Sequence, residues 1–203
     1  MTSIIIPGQV TRPAFDESKH VYTVGGAQVP SVSRILRPLT NAVYGEIDRE
    51  TLRRAADFGT AVHACTELLD LDELDEDSVT PEWMPYLNAY KRWKAATRPE
   101  ILHIEDRLGC SKYAGTLDRI CRINGELWVI DIKTTSSIHP HVGVQLAAYV
   151  ALAEGYYGGT YRRAALQLRG DGTFKVTEFS SINDETCFNA LLGIYHWKIS
   201  NDH

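Results

Sequence analysis

YAGTLDRICRINGELWVIDIKT, residues 113–134, carries the strongest fold signal in the chain. Its centre is Asn124-Gly125, the preferred pair for a two-residue type I′ hairpin turn, in which both positions need positive φ. With that turn, Ile123 pairs with Glu126, and paired residues keep a constant sum of residue numbers. Counting outward sets Asp118 opposite Asp131, on one face, with Cβ atoms roughly 4.5–5.5 Å apart. Lys133 lies two residues further on and projects from that same face, opposite Thr116. Two carboxylates so placed repel each other, and a shared cation removes the cost. A β-bulge between them would change the pairing. Residues 126–134, ELWVIDIKT, are apolar on both faces before the charged end, the pattern of a central strand covered on both sides. The plainer reading of the charges is a surface triplet, with Asp131 paired to Lys133 or Arg119.

The pair of acids carries a chemistry. Two carboxylates at this spacing bind one or two divalent cations that prefer oxygen, Mg²⁺ or Mn²⁺. Such a metal activates water and stabilises charge on an attacked phosphate. Lys133 would orient the water or stabilise the pentacovalent transition state. These are the parts that phosphodiester hydrolysis needs.

Outward from the hairpin, the periodicity predicts helices and strands in alternation. Residues 101–105 read as a strand before it, and a helix covers about 140–154 after it. A strand pair follows at 161–168 and 173–179, across Gly170-Asp171-Gly172, and then a helix at about 183–199 capped by Asn183 or Asp184. Upstream, a helix is expected over about 47–70, with Leu52, Ala55, Ala56, Gly59, Val62 and Leu69 near one stripe. The acidic stretch Asp70 to Asp77 reads as a solvated loop or helix end. Pro81 opens a further helix rich in Trp83, Tyr86, Tyr90 and Trp93, which read as core residues. Residues 14–24, then Gly25-Gly26, then AQVPSVS (27–33), read as a short hairpin around the two glycines, and Ser31 or Ser33 caps a brief helix through Arg34-Ile35-Leu36, stopped by Pro38. The sum is an α/β fold with a central mixed sheet flanked by helices, in α-β-β-β-α-β order. One domain is expected over 1–203, with 1–45 as an N-terminal hairpin and short-helix extension.

Composition narrows the function less. The chain has 203 residues, is 44% apolar and carries a formal charge of -5. A protein that binds nucleic acid over its whole surface is usually basic, so any such contact must come from local patches, and the net charge neither supports nor excludes it. No apolar run reaches the ~18 residues of a membrane span. The start, MTSIIIPGQV, lacks the basic region and apolar length of a signal peptide, so a cytoplasmic location is expected. Cys65, Cys110, Cys121 and Cys187 are scattered, with no zinc spacing, and read as reduced thiols. No Gly-rich phosphate loop is present, which disfavours a nucleotide triphosphatase.

Four motifs together resemble a known family. Gly115-Thr116-Leu117-Asp118 and Asp131-Ile132-Lys133-Thr134 resemble motifs II and III of the PD-(D/E)XK nuclease superfamily. Gly59-Thr60-Ala61-Val62-His63 resembles the GxxxH helix of its RecB-like exonuclease branch, and Gln145-Leu146-Ala147-Ala148-Tyr149 resembles the QxxxY helix. The residues 20–36, HVYTVGGAQVPSVSRIL, look like the start of phage-encoded members. The resemblance implies a restriction-endonuclease-like core. It implies metal ligation by Asp118, Asp131, the carbonyl of Ile132 and His63, with Lys133 as the catalytic lysine. Glu105 is a further acidic candidate through water, and Glu67 a weaker one. Gln145 and Tyr149, four apart on one helix face, would contact the DNA backbone or support the lysine. The cysteines stand in the wrong places for the iron–sulfur cluster that some RecB-like nucleases carry, so none is expected.

DNA would meet the site through Thr134, Arg53 and Arg54, with Arg49, Arg34, Arg37, Arg162 and Arg163 as further phosphate contacts around one mouth. The expected activity is a stand-alone exonuclease acting on DNA ends or single-stranded regions, in phage-type recombination, repair or replication. It would work beside a recombination or single-strand-binding protein. The alternatives are a structure-specific endonuclease, an inactive DNA-binding or interaction module with the same fold, and a hydrolase of another phosphate ester.

Overall fold

A computed structural model describes residues 8–201. The hairpin forms as the turn chemistry dictates. Asn124 and Gly125 have φ of 51° and 83°, and β5 (Ala114–Ile123) pairs with β6 (Glu126–Lys133) from Ile123↔Glu126 out to Arg119↔Ile130. There the ladder stops, one pair short of Asp118 and Asp131. The Asp118 carboxylate takes over instead, with Oδ2 accepting from the backbone N–H of Ile132 at 2.7 Å. The register is the one counted from the turn, but Asp118 and Asp131 are not a ladder pair.

In chain order the other elements are β1 (Ala14–Asp16), β2 (Val21–Val24), β3 (Ala27–Val29), α1 (Val32–Ile35), α2 (Arg37–Tyr44), α3 (Arg49–Asp70), α4 (Met84–Thr97) and β4 (Glu100–Gly109), then, after β6, α5 (His141–Tyr157), β7 (Tyr161–Leu168), β8 (Phe174–Phe179) and α6 (Ile182–Asn201). Five strands make one sheet in the order β4-β5-β6-β7-β8. All neighbours are antiparallel except β6 and β7, which run parallel because α5 carries the chain back across the sheet.

Both faces of the sheet are covered, and successive residues supply opposite sides. Ile120, Val129 and Ala165 pack with α5 and α6. Cys121, Ile130, Ala164 and Leu166 pack with Val62 of α3 and Tyr90 and Trp93 of α4. The α4 aromatics Tyr90 and Trp93 are therefore core, as read. α5 is enclosed almost all round, with Leu146, Ala148 and Leu152 wholly buried, because it lies between the sheet and α6.

Three upstream readings change. Pro38 does not end a helix; it sits in the first turn of α2, where its missing N–H and fixed φ cost nothing. The hairpin about Gly25-Gly26 forms between β2 and β3, but the segment 14–24 is two strands, broken at His20 with φ 52°, so the N-terminal piece is a three-stranded meander. It docks on β5 through a Tyr22–Thr116 hydroxyl pair at 2.7 Å. The acidic stretch is not wholly solvated, since the Asp70 side chain is fully buried. Among the described residues no helix is long and apolar enough to cross a membrane.

Candidate active site

α3 begins where Asp48 accepts from the Thr51 N–H and packs through Val62 on one face of the sheet. His63, the next residue, reaches Glu105 of β4, Asp118 of β5 and the Ile132 carbonyl of β6. His63, Glu105 and Asp118 each place a ligand atom within 4.8 Å of the others. His63 Nδ1 is 3.8 Å from Glu105 Oε1 and 3.7 Å from Asp118 Oδ2. Its Nε2 lies 3.0 Å from the carbonyl of Ile132. Burial opposes charge on this imidazole, but Asp118 and Glu105 outweigh it and hold the pKa up at about 9. Burial also pushes the carboxyls of Asp118 and Asp131 up, against the pull of His63 and Lys133.

Glu105 reaches the cluster through an uncommon backbone. Its φ is 45°, inside a strand, between the pairs Ile104↔Arg119 and Asp106↔Leu117. A non-glycine residue in the left-handed region is strained by about 1–3 kcal/mol and persists only where its surroundings hold it. Arg119 does the holding. Its guanidinium, wholly buried, donates to Glu105 Oε1 at 3.3 Å, to the Asp118 carbonyl at 2.6 Å, to Thr66 Oγ1 at 3.1 Å and to Asp70 Oδ2 at 2.7 Å. Sequence reading missed Asp70 and Thr66. Helix spacing was the available signal, since both share a face of α3 with His63.

Asp131 stands apart from the three. Its Oδ2 is 2.7 Å from Lys133 Nζ, an ion pair, yet this buried oxygen accepts no well-directed hydrogen bond. Lys133 also donates to Gln145 Oε1 at 3.4 Å, and Gln145 donates to the Tyr149 hydroxyl at 3.0 Å. Burial would strip the lysine of its proton, but Asp131 and Asp118 keep its pKa above the ordinary value. Tyr149 is buried, against Gly115, where a Cβ would come within 2.6 Å of the ring. Gly59 is less demanding: a Cβ there would meet only Thr134 Oγ1, at 3.5 Å.

An imidazole, two clustered carboxylates and a buried, under-bonded Asp131 oxygen form a donor set that suits a hard divalent cation. The cavity at this point is about 390 Å³ and is lined by His63, Glu105, Ile132, Lys133 and Thr134. A second, of about 690 Å³, shares Ala55, Ala56, Lys133, Thr134 and Thr135 with it. Arg53 and Arg54 are exposed on the first turns of α3, where Arg53 pairs with Glu50 and Asp57, and Arg54 with Glu50.

The other arginines do not gather at one mouth. Parallel pairing puts Arg162 beside Trp128, at the far end of β6 from Lys133, where it binds Glu126 and Glu178. Arg163 is buried against Asp184. Arg34 and Arg37 line a separate hollow against α6. Glu67 is not in the His63 cluster. All four cysteines are free thiols, with Cys110 and Cys121 on opposite faces of the sheet.

No curated protein matches the chain. The family model described as the PD-(D/E)XK nuclease superfamily matches residues 77–187, which contain Glu105, Asp118, Asp131, Lys133, Gln145 and Tyr149 but not His63. That match spans more than half of the 203 residues and agrees with the mixed sheet and its flanking helices, so the chain belongs to the PD-(D/E)XK nuclease superfamily.

Proposed function

We propose that this chain is a divalent-metal-dependent deoxyribonuclease of the RecB-like branch, acting as an exonuclease on DNA ends. The observation that carries the reading is the convergence of His63, Glu105 and Asp118 beside the Asp131–Lys133 ion pair. His63, Glu105, Asp118, Asp131 and the Ile132 carbonyl would hold one or two Mg²⁺ or Mn²⁺ ions. Bound there, the metal supplies an activated water and neutralises charge on the phosphate.

The chain's own groups do the rest. Asp131 and Gln145 aim the Lys133 ammonium, and a fixed cation at the attacked phosphate stabilises the charge that develops on its oxygens. Tyr149 is buried, which supports a bracing part for Gln145 and Tyr149 behind the lysine rather than a direct grip on DNA. Thr134 lines both cavities and would meet the backbone near the cut. Arg53 and Arg54, just before the cavity-lining Ala55 and Ala56, would neutralise phosphates further out. The His63 position favours the RecB-like branch, and with it a place in recombination, repair or replication of the phage type.

The test is a digestion series on end-labelled linear duplex, single-stranded oligonucleotide and covalently closed circles, with Mg²⁺ or Mn²⁺. Linear DNA should shorten from its ends while circles survive, and EDTA or Asp131→Ala should stop it. Rapid nicking of circles makes the enzyme an endonuclease. DNA binding without cleavage in either metal overturns the assignment.

A further inference from the structure

The larger cavity, about 690 Å³, does more than lead to Lys133. One wall is α2 and the start of α3, with Tyr44, Ile47 and Leu52; the other is the segment entering α5, with His139 and His141. Its size is that of a site for a small organic ligand. Its composition is unlike a phosphate track. Among the described residues lining it, Lys133, at its inner end, is the only Lys, Arg, Asp or Glu.

The rings are ordered. His139 and His141 lie parallel, 8° apart in plane with centroids at 5.9 Å. Tyr44 stands edge-on to both, at 5.5 and 5.7 Å. Burial, then the neighbouring His139 and Lys133, keeps the His141 imidazole below its usual pKa, so the ring is neutral near pH 7. Ile47 and Leu52 are exposed apolar side chains on the same cleft. A partly aromatic cleft with apolar walls and Lys133 in its lining fits a nucleobase whose phosphate lies at Lys133.

We propose that this cleft receives the unpaired base of the nucleotide next to the scissile phosphate, with the Tyr44 ring as its stacking face and His139 and His141, edge-on to that ring, as its flank. A base inside a duplex is stacked on both faces and paired along one edge, and extruding it costs the energy of unstacking and unpairing, so a single-stranded or frayed end enters the cleft most readily. The proposal rests on the nuclease reading above and adds the substrate class, a single-stranded terminus, and the residues that select it.

The test is fluorescence anisotropy with Ca²⁺ in place of Mg²⁺, using a labelled single-stranded oligonucleotide and a blunt duplex with clamped, GC-rich ends. Wild type, Tyr44→Ala, Tyr44→Phe and His141→Ala are compared, with circular dichroism as the check on folding. Base–aromatic stacking predicts that Tyr44→Ala binds single strands about 5- to 100-fold more weakly, while Tyr44→Phe, which keeps the ring, stays near wild type. Single strands should bind more tightly than the clamped duplex. A 2-aminopurine placed beside the cut should lose fluorescence on binding wild type and regain it in Tyr44→Ala. If wild type cleaves DNA but Tyr44→Ala and His141→Ala bind single strands as wild type does, the cleft has another occupant and the nuclease reading stands. If wild type neither binds nor cuts any DNA, both readings fall.

Discussion

Arg119→Met should unfold the chain more easily and loosen Glu105 and Asp118, the proposed metal ligands, at once. The side chain has no exposed surface and joins Asp70, Thr66, Glu105 and the Asp118 carbonyl. Removing one partner of a buried ion pair costs roughly 3–5 kcal/mol, because the other charge is left uncompensated. Asp70 keeps Lys94 Nζ at 2.6 Å and the Tyr90 hydroxyl, which places the loss near the lower end, at about 3 kcal/mol. Folded domains have stabilities of roughly 5–15 kcal/mol, so the variant stays folded. In urea, with a slope of about 2 kcal/mol/M, the midpoint should fall by about 1.5 M. Tryptophan fluorescence reads this directly, since Trp93 is buried in the same layer. The double variant Asp70→Asn/Arg119→Met should lose clearly less than the sum of its two single variants, because the two charges leave together. A loss below about 1 kcal/mol in the single variant, or strict additivity in the double, refutes the reasoning.

Gly115→Ala places a methyl group within 2.6 Å of the Tyr149 ring; overpacking of that kind costs about 1–3 kcal/mol, and displacing Tyr149 should slow cleavage as well, read by thermal denaturation and initial rates. Gly125→Val forces a β-branched residue to φ 83° and should cost about 1–2 kcal/mol in urea denaturation, whereas Gly125→Asn should be milder. His63 holds its proton up to about pH 9, and a cation bound through it must displace that proton. Mn²⁺ affinity, measured by calorimetry, should therefore rise with pH by up to about tenfold per unit below about pH 9 and level off above it. His63→Gln should bind more weakly and show a flatter pH dependence; an unchanged slope would take His63 out of the ligand set.

The hairpin was legible because its turn is local chemistry: Asn124-Gly125 demands positive φ at both residues, and the register follows by counting. The helix with His63 was legible from its stripe, and the buried β6 from an apolar run on both faces. The end of the ladder was not, because it depends on the Asp118 carboxylate competing for the Ile132 N–H across the strand. Nor was the backbone of Glu105, since nothing in Ile104-Glu105-Asp106 marks a left-handed residue; Arg119 holds it from the neighbouring strand. Asp70 was masked by its acidic neighbours, though it pairs with both Lys94 and Arg119. The misplaced Arg162 and Arg163 were avoidable. A helix between β6 and β7 implies a parallel crossover, which starts β7 at the end of β6 remote from Lys133.

If the cation cluster and Lys133 form a single hydrolytic centre, the lysine acts on the rate and not on the metal. Single-turnover cleavage of an end-labelled strand in Mn²⁺ by wild type and Lys133→Ala, with Mn²⁺ affinity measured on both, separates the two. Loss of a positioned charge or proton donor predicts a rate lowered by about 10²–10⁴-fold, with metal still bound through His63, Glu105 and Asp118. Equal rates in the two proteins, or no metal-dependent cleavage by wild type, would contradict it.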